Sequence, residues 1–390
     1  LDGDPVPPDA EDAYFVPRIS VRSATLYEHC ARSIDRSLKV GVHGLPLMGT
    51  GDWNDGMNRV GHEGRGESVW LGWFLCRLVS DFAPLAERRD DLARANRWRD
   101  ASRGWREALG RAAWDGDWFL RAFFDDGSAL GSKHNAECRI DLIAQAWSVL
   151  SGAAPRPRQQ TAMKAVERLL VDPDAGLVRL LDPPLVHAVP SAGYIQAYPA
   201  GVRENGGQYS HAGVWALMAH TSLGHADAAW RMFEMLSPAH RSHDPKRRTA
   251  YELEPYVMAG DVYSQPPYAG RGGWSWYTGA AAWMHRAAIE SIVGLEVNGE
   301  RVRLRPHLPS HWPHVTITVR RDRRIHEFIV CADSAGTALE AALARGARRL
   351  GVGAWLSLSD APATSLHVVI VSTEARADNE GFERAAEQML

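Results

Sequence analysis

Residues 67–85 read ESVWLGWFLCRLVSDFAPL and are apolar around nearly the whole circumference of a helix. A helix that is apolar on all sides belongs in the interior of a protein. We therefore predict a buried helix over this stretch. Helical spacing of apolar residues predicts seven more helices around it. These fall at residues 25–38, 89–109, 138–150, 160–170, 211–221, 226–236 and 279–292.

The pattern changes near residue 294. LEVNGERVRLRP, residues 295–306, is typical of two strands joined by a tight turn at Asn298 and Gly299. VTITVRR, HEFIVCA and LHVVIVS follow with the β-branched and aromatic content of strands. We predict a mainly α domain over residues 1–293 and a small antiparallel β domain over residues 294–390. Residues 40–65, 172–208 and 237–273 are predicted to be mostly loop, and residues 118–124 to start a hairpin.

The composition excludes several classes of protein. The chain has 390 residues, of which 45% are hydrophobic and 23% charged, as in soluble globular proteins. A net charge of -3 offers no basic surface to nucleic acid. No apolar run reaches the roughly 18 residues that span a bilayer, and the four cysteines form no CxxC zinc motif. The sequence does not begin with methionine, and its first residues lack the basic and apolar regions of a signal peptide. We therefore expect a soluble, cytoplasmic piece of a longer chain.

Residues 44–58, GLPLMGTGDWNDGMN, place two carboxylates and an indole between glycines. We name this segment the acid loop. Like charges as close as Asp52 and Asp55 raise one pKa, and desolvation by Trp53 raises it further. A carboxylic acid that stays protonated near neutral pH can act as a general acid. A turn whose carboxylates cap the chain or bind a cation is an equally good interpretation.

Residues 198–213, YPAGVRENGGQYSHAG, form a second loop that ends in a helix. The Glu204 carboxylate could accept hydrogen bonds from sugar hydroxyls or act as a base. A histidine at a helix N-terminus, such as His211, is well placed to bind an anion. The alternative is that His211 is a capping or core residue. The candidate sugar contacts in this loop are Tyr198, the adjoining Pro199, Arg203 and Glu204.

Residues 268–280, YAGRGGWSWYTGA, form a third glycine-rich loop. Thr278 and Gly279 open the last long helix and make a second candidate anion site, to which Arg271 could add charge. A tight turn into a buried helix is the alternative. Carboxylates with tryptophan suggest a glycoside, and anion sites suggest phosphate. Together they suggest phosphorolysis of a sugar linkage.

The segments GTGDWNDGMN, YPAGVRENGGQYSHAG and GGWSWYTGAAAWMHRA resemble the inverting cellobiose and chitobiose phosphorylases of glycoside hydrolase family 94. The resemblance spans roughly residues 15–330 and favours the branch found at the C-terminus of cyclic β-1,2-glucan synthases. It implies an (α/α)₆ barrel, which this chain would leave incomplete because only about fifty residues precede Asp55. It implies Asp55 as general acid, with the sugar held by Trp53 and Glu204 and, we add, Asp52. It implies phosphate binding by His211, Thr278 and Gly279.

The implied reaction is attack of inorganic phosphate on the anomeric carbon while Asp55 protonates the leaving oxygen, giving α-glucose 1-phosphate. Phosphate is the co-substrate, and no metal or organic cofactor is implied. The expected partners are a β-glucan oligosaccharide, phosphate, the rest of a larger synthase and a second copy of the chain, but no nucleic acid. Two alternatives stay open: an inverting hydrolase with Glu204 as base, and a fragment that binds glucan or controls its length without catalysis.

Overall fold

The computed structural model of the protein describes residues 1–7, 10, 13–332 and 336–371. Within these ranges ten α-helices precede residue 293 and one follows it. They are α1 (Leu26–Arg36), α2 (Val69–Glu87), α3 (Leu92–Ala112), α4 (Leu142–Leu150), α5 (Arg156–Leu169), α6 (Ser210–Ser222), α7 (Ala226–Leu236), α8 (Pro238–His243), α9 (Pro245–Tyr251), α10 (Ala280–Arg286) and α11 (Gly336–Ala344). A π-helical turn, Ala287–Ile292, extends α10, and 3₁₀ turns span Asp55–Met57 and Tyr194–Ala197.

The strands before residue 293 are short and pair in the loops between helices. They are β1 (Glu67–Ser68), β2 (Ala122–Phe123), β3 (Ala129–Leu130), β4 (Ile140–Asp141), β5 (Val171–Asp172), β6 (Leu177–Val178), β7 (Leu181–Asp182), β8 (Gln208–Tyr209) and β9 (Asp261–Val262). The later strands are β10 (Leu295–Asn298), β11 (Arg301–Leu304), β12 (His314–Arg321), β13 (Arg324–Ala332), β14 (Arg348–Arg349), β15 (Leu356–Ser357) and β16 (Thr364–Val371).

All eight predicted helices are present, and polar caps define where several of them begin. The Thr25 hydroxyl accepts from the Glu28 amide at the start of α1, and the Ser68 hydroxyl caps α2 in the same way. Residues 237–273 are mostly loop, as predicted, but they also contain the two short helices α8 and α9, which were not predicted. Each begins with a capping residue followed by proline, Ser237 before α8 and Asp244 before α9, which is a helix-start signal.

Helix α2 lies in the main hydrophobic core, packed against α3 and α4. Its Trp73 is almost fully buried and meets the ring of Phe119 edge-on, with 5.0 Å between centroids. Contrary to the sequence-based expectation, α2 is long and apolar enough to span a bilayer by composition. Half of its most apolar window is buried inside the protein.

The C-terminal sheets differ from the antiparallel domain predicted. Strands β10, β11 and β15 pair antiparallel, as do β12 and β13, but β16 runs parallel to both β13 and β14. Parallel pairing requires a crossover connection, and α11 lies between β13 and β14. The first hairpin is confirmed, although Asn298 pairs with Arg301, so the turn lies at Gly299 and Glu300 rather than one residue earlier.

The loop between β11 and β12 packs on the helical part through aromatic residues. Trp230 of α7 contacts Trp312 and His311, with ring centroids 4.9 and 5.8 Å apart. The Ser310 amide donates to the Asp227 carboxylate at 2.7 Å. Strand β10 begins at Leu295, and a division of the chain into domains at residue 293 stays a prediction.

Candidate active site

Buried or half-buried carboxylates fix both ends of the acid loop. Glu67 is fully buried and accepts hydrogen bonds from the amides of His43 and Leu45, at the N-terminal end. Asp125 accepts from three amides between residues 63 and 66, just after the loop. A carboxylate bound to several backbone amides holds the chain as a cap holds a helix end. The loop is therefore anchored by side chains rather than by a continuous strand or helix.

The centre of the loop is held by an ion pair. Both oxygens of Asp52 accept from the Arg121 guanidinium at 2.7 Å, and both side chains are fully buried. The Ser68 hydroxyl and the Asn54 amide also donate to Asp52, at 2.6 and 3.0 Å. Burial alone would raise the pKa of Asp52, but Arg121 and these hydrogen bonds lower it overall.

This arrangement corrects the prediction that Asp52 contacts a sugar. The side chain is enclosed with both oxygens occupied, so it anchors the loop instead. The partner missed was Arg121, which lies 69 residues further along the chain. A lone arginine inside the apolar stretch WFLRAFF was the available signal, because a buried charge requires a partner.

Arg121 also links the acid loop to α4. Its Nε lies 3.4 Å from Oδ2 of Asp141, whose other oxygen accepts from the Ile143 amide as the cap of α4. Burial raises the pKa of Asp141 to about 6, although Arg121 opposes the rise. One guanidinium therefore joins two buried carboxylates, one from the loop and one from a helix start.

Trp53 joins the acid loop to the start of α6. Its indole Nε1 donates to Nδ1 of His211 at 3.3 Å. The Trp53 ring also packs edge-on against Tyr209 and lies near Trp215, with centroids 5.3 and 5.6 Å apart. Burial lowers the pKa of His211 to about 4, so its imidazole is neutral at pH 7. The first two loops singled out in the sequence thus meet directly.

Asp55 is exposed at the first position of the 3₁₀ turn Asp55–Met57. Its side chain is free to meet a ligand, unlike that of Asp52. Tyr194, which the sequence analysis missed, lies beside it. Burial and then a hydrogen bond to Asp55 raise the pKa of Tyr194 to about 12. The Tyr194 ring lies 6.1 Å from that of Tyr198, so the second loop adjoins Asp55.

Glu204 lies in the interior and is 6% exposed. Its Oε2 lies 3.3 Å from Nε of Arg203. Burial, the Glu204 charge and a hydrogen bond to Glu204 all raise the pKa of Tyr209. Glu204 is therefore held by the guanidinium of Arg203 and the phenol of Tyr209.

The Arg203 guanidinium lies between two aromatic rings, 4.8 Å from the centroid of Tyr198 and 4.6 Å from that of Trp274. Its backbone has a left-handed φ of 51°, and its amide donates to Asp261 at 2.8 Å. Asp261 is buried, and burial raises its pKa. Pro199 is exposed, and its carbonyl accepts from an amide of the same turn. Of the four candidate sugar contacts predicted in this loop, only Arg203 lines the pocket described next.

A pocket of about 240 Å³ brings the second and third loops together. His211 from the start of α6 and Thr278 and Gly279 from the start of α10 share its wall. The Thr278 hydroxyl accepts at 3.0 Å from the amide of Ala280, the first residue of α10. The residues of the two anion sites predicted separately from the sequence therefore line one pocket. The remaining lining residues are Arg203, Tyr209, Gly260, Asp261, Trp274 and Tyr277.

Arg271, expected to add charge here, does not line the pocket. Its guanidinium lies 3.3 Å from Glu252 and above the ring of Tyr268. Among the described residues, no cluster of three or more His, Cys, Asp or Glu side chains could hold a metal ion. The pocket offers an anion one guanidinium, one neutral imidazole and a helix start.

Comparison with known sequences identifies the relatives of this chain. The sequence model of the glycosyl hydrolase 94 superfamily catalytic domain matches residues 11–294. The cyclic β-(1,2)-glucan synthase NdvB of Rhizobium meliloti (strain 1021) is 46% identical over 83% of this chain and 11% of its own length. Solabiose phosphorylase of Paenibacillus borealis is 32% identical over 76% of this chain and 38% of its own. N,N'-diacetylchitobiose phosphorylase of Vibrio furnissii is 29% identical over 78% and 37%.

A solved structure shares the fold at low sequence identity. The GH78 family rhamnosidase of Bacillus sp. GL1 superposes with a TM-score of 0.51 and 12% identity, over 90% of this chain and 30% of the rhamnosidase. The present chain thus spans about a tenth of the synthase and a little over a third of the phosphorylases.

We predict that Arg121→Met destabilises the protein by about 3–5 kcal/mol, because it leaves Asp52 and Asp141 buried without their shared cation. Urea denaturation at pH 7 measures the loss. Arg77→Met is the control, since Arg77 forms an exposed i,i+4 pair with Asp81 and should cost less than about 0.5 kcal/mol. Equal losses in the two variants would show that the buried pair does not stabilise the fold.

His211 should make the fold sensitive to acid. Its pKa is about 4 in the folded state and 6.5 in the unfolded state, so only the unfolded chain gains this proton as pH falls through that window. The free energy of unfolding should therefore fall by up to about 3 kcal/mol from this group between pH 6.5 and 4. His211→Asn should remove that part of the loss. The exposed His29 is the control: wild type and His29→Asn should lose stability in parallel.

Proposed function

This chain belongs to the glycosyl hydrolase 94 superfamily, and we propose that it catalyses the phosphorolysis of β-glucosidic linkages with inversion of configuration. The product would be α-glucose 1-phosphate. The observation that carries the proposal is the hydrogen bond from Trp53 to His211, at 3.3 Å. It ties the loop that bears an exposed carboxylic acid to a pocket whose wall combines His211 with the helix start at Thr278 and Gly279. A phosphorylase requires an acid and an anion site on either side of one anomeric carbon.

In the proposed reaction Asp55 donates its proton to the glycosidic oxygen as the bond from that oxygen to the anomeric carbon breaks. A phosphate oxygen forms the new bond to the same carbon from the opposite face. An inverting hydrolase uses a second carboxylate to activate water, but phosphate is already a nucleophile and needs no protein base. The reaction therefore uses phosphate as co-substrate and needs no metal or organic cofactor.

The other residues of the site position the reactants. Glu204, held by Arg203 and the Tyr209 hydroxyl, is suited to accept hydrogen bonds from sugar hydroxyls. In the pocket, the Arg203 guanidinium and the backbone amides at the start of α10 would compensate the charge of phosphate. Holding both reactants in line accounts for much of the rate enhancement when the nucleophile is a small free ion.

We assign β-1,2-glucan as the substrate class from the similarity to the cyclic β-(1,2)-glucan synthase. The helical part would form a segment of an (α/α)₆ barrel, and the remainder of the barrel would come from the rest of a longer parent chain. A cytoplasmic location and a homodimer stay predictions.

The test is to incubate the chain with β-1,2-gluco-oligosaccharides, with and without inorganic phosphate, and to measure glucose 1-phosphate. We expect phosphate-dependent product and a loss of 10²- to 10⁴-fold in rate for Asp55→Asn, the range that general acid catalysis contributes. Asp117→Asn, at an exposed loop carboxylate outside the site, is the control and should retain the rate. Free glucose formed without phosphate would indicate hydrolysis instead, and binding without either product would indicate a glucan-binding fragment.

A further inference from the structure

In the hydrogen bond between Trp53 and His211, only Trp53 can be the donor. An indole Nε1–H is a donor and has no acceptor function. Nδ1 of His211, 3.3 Å away, must therefore offer its lone pair. A neutral imidazole carries one proton, which consequently sits on Nε2. The contact fixes which nitrogen of His211 is the donor.

Nε2 of His211 is buried and has no hydrogen-bond partner among the described residues. A buried N–H group without a partner is unfavourable, and it calls for a ligand or water to complete it. His211 lines the same pocket as Thr278 and Gly279. The unsatisfied donor thus belongs to the wall of the proposed anion site.

The other aromatic neighbours of His211 do not set its tautomer. Trp215 lies closest, with ring centroids 4.2 Å apart, yet its own Nε1 is buried and has no hydrogen-bond partner within the described ranges. Trp283 contributes a tilted ring at 5.5 Å. These rings exclude water and keep the imidazole neutral, whereas Trp53 alone hydrogen-bonds to it in the described structure.

The position of Trp53 is itself fixed by the buried ion pair. The preceding residue, Asp52, is locked to Arg121 by two hydrogen bonds of 2.7 Å. The following residue, Asn54, donates its amide to Asp52 and caps the 3₁₀ turn of Asp55 through its side chain. The indole therefore leaves the backbone at a point that is anchored on both sides.

We propose that Trp53 is a positioning residue of the anion site, which holds His211 in the tautomer that presents Nε2–H to phosphate. The ligand assignment rests on the proposed function, but the tautomer does not. The opposite tautomer would place a lone pair on Nε2 and repel an anion. Trp53 belongs to the acid loop. The position of the loop that carries Asp55 therefore also determines whether His211 can donate a hydrogen bond to phosphate.

The first measurement is a long-range ¹H–¹⁵N spectrum of the chain labelled with ¹⁵N-histidine, in which the His211 signals are identified by their loss in His211→Asn. We expect a protonated Nε2 and an unprotonated Nδ1 in the wild type at pH 7. In Trp53→Phe, which keeps an aromatic ring but lacks the N–H, both nitrogens should shift towards values intermediate between the two tautomers. Trp215→Phe is the matched control, because it removes an indole that touches the same imidazole without hydrogen-bonding to it.

Titration with inorganic phosphate, followed by the same signals, tests the consequence. Affinity should fall about twofold in Trp53→Phe, because a binding-competent tautomer populated to about one half halves the apparent affinity, and should stay unchanged in Trp215→Phe. A wild-type His211 protonated on Nδ1 would overturn the proposal, and so would equal behaviour of the two variants. If the wild type has the expected tautomer but phosphate shifts no signal, the phosphate site and the proposed function fail while the control of the tautomer by Trp53 stands.

Discussion

The buried ion pair between Arg121 and Asp52 is the interaction on which the site depends. Removing a guanidinium and a carboxylate from water is costly, and the cost is recovered only with good geometry and complete hydrogen bonding. Here Asp52 receives two bonds from Arg121 and two more from Ser68 and the Asn54 amide. The pair crosses 69 residues of sequence and fixes a loop that has no regular secondary structure beyond one 3₁₀ turn. The positions of Trp53 and Asp55 follow from it.

The two aspartates of the acid loop have different roles because their environments differ. Asp52 is enclosed and anionic, and its role is structural. Asp55, three residues further on, is exposed at the start of the 3₁₀ turn and remains available to a ligand. The sequence pattern DWND gives no means of telling them apart, because the difference lies in Arg121. A carboxylate spacing predicts a site, while the cation nearby decides which member of the pair is free to react.

Features of the fold that depend on residues close together in sequence were predictable, whereas features that depend on distant residues were not. Helices were predictable because their signals are local: apolar spacing in α2, and capping side chains such as Thr25 before α1. Helices α8 and α9 were missed, although Ser237-Pro238 and Asp244-Pro245 mark their starts. Each helix is too short for its apolar residues to show a helical spacing. The parallel pairing of β16 with β13 could not be read from strand composition, which is the same for both orientations. The meeting of His211 with Thr278 in one pocket required the folded chain.

The aromatic residues around His211 explain why the site can hold an uncharged imidazole beside an anion pocket. Trp53, Trp215 and Trp283 surround the ring, and burial keeps its pKa near 4. A neutral imidazole contributes a directed N–H rather than a charge, so the charge of a bound phosphate must be met elsewhere. Within the described pocket, the guanidinium of Arg203 supplies a charge opposite to that of phosphate. The carboxyl group of Asp261 also lines the pocket, and burial raises the pKa of this group.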